Sequence, residues 1–198
     1  MSDNRPTIAH VLHRLDLAGA EVLAADLSRK LRDRYRFVFF CLDEVGPLGQ
    51  RLMGEGFKVV DLKRRPGVDV RVARRLRREA ERYDVDLIHA HQYTPFFYSA
   101  MARRWGAGSE PPLLFTEHGR HYPDERRWRR VVANRVLLKA GDRVTAVGEF
   151  IRQALADHEG IDEGRIAVIH NGIDPGETRP FAEPQGRRGA RGLMGVRE

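Results

Sequence analysis

Short continuous apolar runs alternate along the chain with longer segments whose apolar residues recur at helical spacing. The first run, Thr7-Ile8-Ala9-His10-Val11-Leu12-His13, predicts a strand. A turn leads into a helix from about Ala20 to Arg34, with Val22, Leu23, Leu27 and Leu31 assigned to its buried face. Phe37 to Leu42 reads as a buried strand, Pro47 to Gly54 as a short helix and Lys58 to Leu62 as a third strand. Val68 to Tyr83 reads as a helix with two faces. Val72, Leu76, Ala80 and Tyr83 fall on one arc, and Arg71, Arg74, Arg75, Arg78 and Arg82 on the other. A strand over Asp86–His91, a helix over Pro95–Trp105 and a strand over Leu113–Thr116 follow. Asp124 and Glu125 open a further helix to about Lys139, acid at its positive end. The remaining elements are a strand over Arg143–Val147, a helix over Glu149–Asp157 and a strand over Ile166–Ile169.

This alternation predicts an α/β fold: a doubly wound, mostly parallel, Rossmann-like sheet of about seven strands. The strands read as apolar runs, so both sheet faces are expected to be covered. An eight-fold barrel is the competing architecture, but it usually takes ~250 residues, against 198 here. The composition shifts at Asp174. Residues 1–174 read as one domain, and 175–198, rich in Gly, Pro and Arg, as a linker or tail.

Composition narrows the function classes. No apolar run approaches the ~18 residues of a membrane span, and the N-terminus has no signal-peptide pattern. The single cysteine, Cys41, excludes an internal disulfide and fits a reducing compartment. The expected location is cytoplasmic. The formal charge is +7, with Arg far outnumbering Lys. The Arg stripe of 71–82 reads as a solvated helix face. Its alternative is a peripheral contact with an anionic membrane surface. With no aromatic interleaving and no recognisable module, nucleic acid is not an expected partner.

In a doubly wound sheet, ligands sit outside the carboxyl ends of the strands. The loop after the first strand carries Gly19 just before a helix, where free N–H groups suit a phosphate. Neither a dinucleotide fingerprint nor a Walker A motif is present, and a plain helix-start glycine is the competing reading. The fourth strand ends His89-Ala90-His91, followed by Tyr93. Two His at i, i+2 share a face but lack the third and fourth ligands that zinc takes, so no metal is expected. One packed His and one, His91, lining the crevice is the reading adopted. The fifth strand ends Thr116-Glu117-His118-Gly119-Arg120-His121, the densest polar cluster in the chain. An imidazole at His118 can hydrogen-bond a sugar hydroxyl or stabilise developing charge, and Arg120 can pair with a phosphate.

In order, these pieces resemble the N-terminal domain of a family 4 glycosyltransferase, a retaining enzyme of the GT-B fold. The matching stretches are Gly19-Ala20-Glu21, Asp86-Leu87-Ile88-His89-Ala90-His91 and Thr116-Glu117-His118-Gly119. Val144-Thr145-Ala146-Val147 and Val168-Ile169-His170-Asn171-Gly172-Ile173-Asp174 complete the set. Three positions depart from the family pattern: Ala18 replaces a first-loop glycine, Gly148 a serine, and His170 a proline.

The resemblance implies two facing Rossmann-like domains, this one holding the acceptor and the other a nucleotide-sugar donor. His118 would contact the transferred sugar, and Gly19 and Asn171 would lie on the donor-phosphate side. His91, Tyr93, Arg120 and His121 would face a glycan, lipid-linked or small-molecule acceptor. The nucleotide sugar is a substrate, and no cofactor is implied. The donor-binding domain is expected to be missing from this chain, which alone should be inactive or nearly so. The alternative is a non-catalytic Rossmann-like module that binds an anionic ligand or a partner protein.

Overall fold

The computed structural model describes residues 4–104, 110–119, 126 and 128–172. The strands are β1 (Thr7–Arg14), β2 (Arg36–Glu44), β3 (Lys58–Asp61), β4 (Val85–His91), β5 (Leu113–Glu117), β6 (Arg143–Ala146) and β7 (Ile166–Val168). The helices are α1 (Gly19–Leu31), α2 (Pro47–Gly54), α3 (Val70–Arg82), α4 (Tyr93–Arg103), α5 (Trp128–Leu137) and α6 (Glu149–Glu159). The expected start of α5 at Asp124 and Glu125, and the tail over 175–198, lie outside the described residues.

All seven strands are parallel, in the order β3-β2-β1-β4-β5-β6-β7. The chain winds outward from β1 to β3, then returns to the other side of β1 as β4. The switch point therefore lies between β1 and β4, where the connections after the two strands diverge and leave a crevice.

The pleat sorts the core into two layers. On one face Ala9, Val11, Val38, Phe40, Ile88, Ala90, Phe115 and Val144 pack with apolar residues of α3, α4, α5 and α6. On the other, Leu12, Phe37, Phe39 and Cys41 pack with Ala24 and Ala25 of α1 and Leu48 and Leu52 of α2. This second face is mixed across β4–β6, where Leu87 and Leu114 share it with His89, His91, Thr116 and Thr145. Both sheet faces are covered, as expected, the second partly through buried polar residues. A strand can be buried on its second side by polar residues when these bond one another.

The buried face of α1 also differs from expectation. Ala20, Ala24, Ala25 and Ser28 face the sheet, whereas Val22 and Leu27 are exposed and Leu23 and Leu31 only half-buried. Small residues let the helix lie close over Phe37 and Phe39. Ser28 is made compatible with burial by donating its hydroxyl to Ala24 O at 2.8 Å. The amphipathic reading of α3 is matched: Val72, Leu76 and Ala80 are buried and the five stripe arginines exposed. Of these, Arg75 reaches back to Leu62 O at 2.8 Å. At the end of α6, Gly160 adopts φ 64°, and a Cβ there would lie 2.6 Å from Val131, so both backbone and space require glycine.

Candidate functional site

Register brings the histidines together. His10 lies opposite His89 across β1 and β4. His91 lies opposite Thr116 across β4 and β5. With alternation of two, His10, His89 and His91 share one sheet face. His118 continues the line just beyond β5.

The side chains form a connected row. His10 Nδ1 and His91 Nε2 are hydrogen-bonded at 2.9 Å. His91 Nδ1 and His118 Nε2 are bonded at 2.9 Å. Beside this row, His89 Nε2 meets Thr116 Oγ1 at 2.8 Å, and Thr116 Oγ1 meets Thr145 Oγ1 at 2.6 Å. The His10 ring is flanked by Phe37 and Phe39, with ring centroids 5.5 and 5.3 Å away. Burial governs the charge of the group. It pulls the His10 imidazole down to about 3 and that of His118 to about 4. His89 and His91 are held well below the ordinary range, first by burial and then by neighbouring imidazoles. The row is therefore neutral near pH 7.

These contacts change the role expected for His91. It is almost fully buried and both ring nitrogens are engaged, so it backs His118 rather than lining an acceptor crevice. His10 was not singled out from sequence, because inside an apolar strand nothing marks it until register sets it against His89. With His10 present, three imidazoles place ligand atoms within 4.8 Å of one another. A shared ion would thus have three donors where the sequence offered two, although the His10–His91 hydrogen bond already occupies one nitrogen of each.

A second unforeseen residue is Gln92, which joins β4 to α4 with φ 72° and ψ 168°. That region is essentially a glycine conformation, and strain of this kind clusters at functional sites. The surroundings hold it in place. Its N–H bonds Thr116 O at 2.8 Å, and its carbonyl accepts from Phe96 N at 3.2 Å. The kink separates His91, turned into the sheet, from Tyr93, turned into a cleft of about 320 Å³ between the segment preceding α3, α4 and α5. Gly67, Val68, Thr94, Phe97 and Arg129 share that lining. The Arg130 guanidinium lies 4.1 Å from the Tyr93 ring centre and pairs with Glu159 at 2.8 Å. Burial, then the nearby Glu159 carboxylate, pushes the Tyr93 phenol up to about 12.

Gly19 and Asn171 lie at the same carboxyl-end rim. Gly19 opens α1, whose first turn has no side-chain cap; a Cβ at Gly19 would meet nothing within 4 Å. Asn171 is exposed just past β7, next to His170, whose Nδ1 is 3.2 Å from Val147 O. Arg120 and His121 lie outside the described residues. Among the described residues no helix is long and apolar enough to cross a membrane.

An all-parallel seven-stranded sheet with helices on both sides is the Rossmann-like architecture of one half of the GT-B fold. The model of Glycosyltransferase Family 4 matches residues 17–177, and the chain belongs to that family. Its fold is similar to a glycosyltransferase from Rickettsia africae ESF-5, with a TM-score of 0.78 and 21% identity over 98% of this chain and 51% of that one. It is also similar to Anabaena Alr3699/HepE in complex with UDP and glucose (TM-score 0.68, 20% identity, 96% and 50% coverage). The lipopolysaccharide outer core galactosyltransferase WaaB gives a TM-score of 0.59 at 14% identity, over 85% of this chain and 46% of that chain. The chain thus spans about half the length of these solved structures. A sequence search of curated proteins finds no match.

Proposed function

We propose that this chain forms the acceptor-side half of a glycosyltransferase cleft. The reaction moves a hexose, with retention, from a nucleotide sugar to a glycan, lipid or small-molecule acceptor. The observation that carries this reading is His118, a half-buried imidazole kept neutral near pH 7 and fixed by His91 at the carboxyl-end rim of the sheet. A neutral ring held at that rim suits a sugar hydroxyl.

Gly19 and the uncapped start of α1 suit an anionic phosphate group, and Asn171 stands at the same rim. Tyr93, with Arg120 and His121, is assigned to the acceptor. His91 moves from that set to the support of His118. The complementary half would bind the nucleotide sugar, a donor class suggested by the UDP and glucose in the Anabaena complex. This reading uses no metal, because charge on the leaving diphosphate is met by helix N–H groups and basic side chains of both halves.

The test is His118→Ala in an enzyme carrying both halves. Turnover should fall by about 10²-fold, the usual cost of losing one polar group aimed at the reacting centre. Unchanged turnover would remove His118 from the reaction.

A further inference from the structure

Three imidazoles in series leave few choices for their protons. His91 uses both ring nitrogens, one toward His10 and one toward His118. A neutral imidazole carries one N–H and one lone pair, so His91 donates in one of these bonds and accepts in the other. Both bonds must therefore run in the same direction. Only two arrangements remain: Nε2–H on all three rings, or Nδ1–H on all three. The row thus fixes the tautomer of His118 from inside the sheet.

We infer that His10 and His91 are positioning residues that hold His118 as the Nε2–H tautomer, donating inward to His91 and leaving Nδ1 as a lone-pair acceptor. The free neutral imidazole favours its Nε2–H form, and this preference adds over three rings. The ends of the row do not oppose it. Among the described residues, His10 Nε2 is buried without a partner whichever way the bonds run, and so is His118 Nδ1. Burial keeps all three rings neutral, so no extra proton breaks the row near pH 7.

The experiment is a long-range ¹H–¹⁵N spectrum of the full chain, ¹⁵N-labelled at histidine, at pH 7. The result expected is a pyridine-like Nδ1 and a pyrrole-like Nε2 for His118. A pyrrole-like Nδ1, or averaged shifts for the two nitrogens, overturns the inference. In His10→Phe, His91 loses its inner acceptor, and the His118 shifts should move toward the average. In His10→Asn, whose amide oxygen can replace the lost acceptor, they should return. His118 shifts untouched by His10→Phe would reduce His10 to a packing residue and overturn its positioning role. The spectrum is independent of sugar transfer, so absence of transferase activity would sink the proposed function without altering this result.

Discussion

Arg103, at the end of α4, forms a two-point ion pair with Asp142, just before β6, with N–O distances of 2.6 and 2.8 Å. Both side chains are almost completely buried. The same carboxylate accepts from Leu113 N at 3.2 Å and Lys139 N at 2.8 Å. One buried carboxylate thus ties α4, the start of β5 and the end of the α5 connection together beneath the site. Removing one partner leaves an uncompensated buried charge. Asp142→Ala should lower stability by about 3–5 kcal/mol, read as a drop in urea midpoint at unchanged m-value. Replacing both residues with apolar ones of similar volume should cost much less.

The buried imidazoles predict acid sensitivity. In the unfolded chain each titrates near ~6.5, whereas burial holds His10 at about 3 and His118 at about 4. Between those limits the unfolded state binds more protons, so stability rises with pH. Stability should be full above about pH 6.5 and decline as pH falls toward about 3–4. Each such histidine contributes up to about 1.4 kcal/mol per pH unit. His10→Phe should flatten the curve by about one proton, measured by urea unfolding at a series of pH values. An unchanged slope would place His10 outside the buried row.

Gln92 stores backbone strain where β4 turns into α4. Gln92→Gly removes the Cβ that makes φ 72° costly and should stabilise the fold by about 1 kcal/mol. Gln92→Val should destabilise it, because a β-branched residue tolerates positive φ least. Thermal unfolding of the two variants checks both signs.

The packing of α1 gives opposite results at adjacent faces. Ala24→Leu forces three more heavy atoms between the helix and Phe39 and should cost about 1–3 kcal/mol. Leu27→Ser, on the exposed side, should stay within about 0.5 kcal/mol. Equal effects at the two positions would contradict the observed helix orientation.

The isolated chain should release little nucleotide from a nucleotide sugar when mixed with acceptors. Half a cleft lacks the opposing charges that a leaving diphosphate needs. Robust turnover by the isolated chain would contradict the half-site reading.

The sequence by itself determined the class of fold, the order of the elements and the rim on which His118, Gly19 and Tyr93 fall. Those features depend on local periodicity and on the rule that parallel strands send their ligand-facing loops to one end. The family resemblance was equally legible, because its motifs are contiguous at strand ends. Tertiary structure decided what depends on pairing between distant segments. Register set His10 against His89 and made a two-histidine motif into a row of three ending at His118. Helix orientation turned Val22 and Leu27 outward, since close approach to the sheet favours the small side of α1 over its most apolar side. The strain at Gln92 also became visible only there, because a positive φ on glutamine is imposed by the hydrogen bonds from β5 and α4 rather than by its own preference.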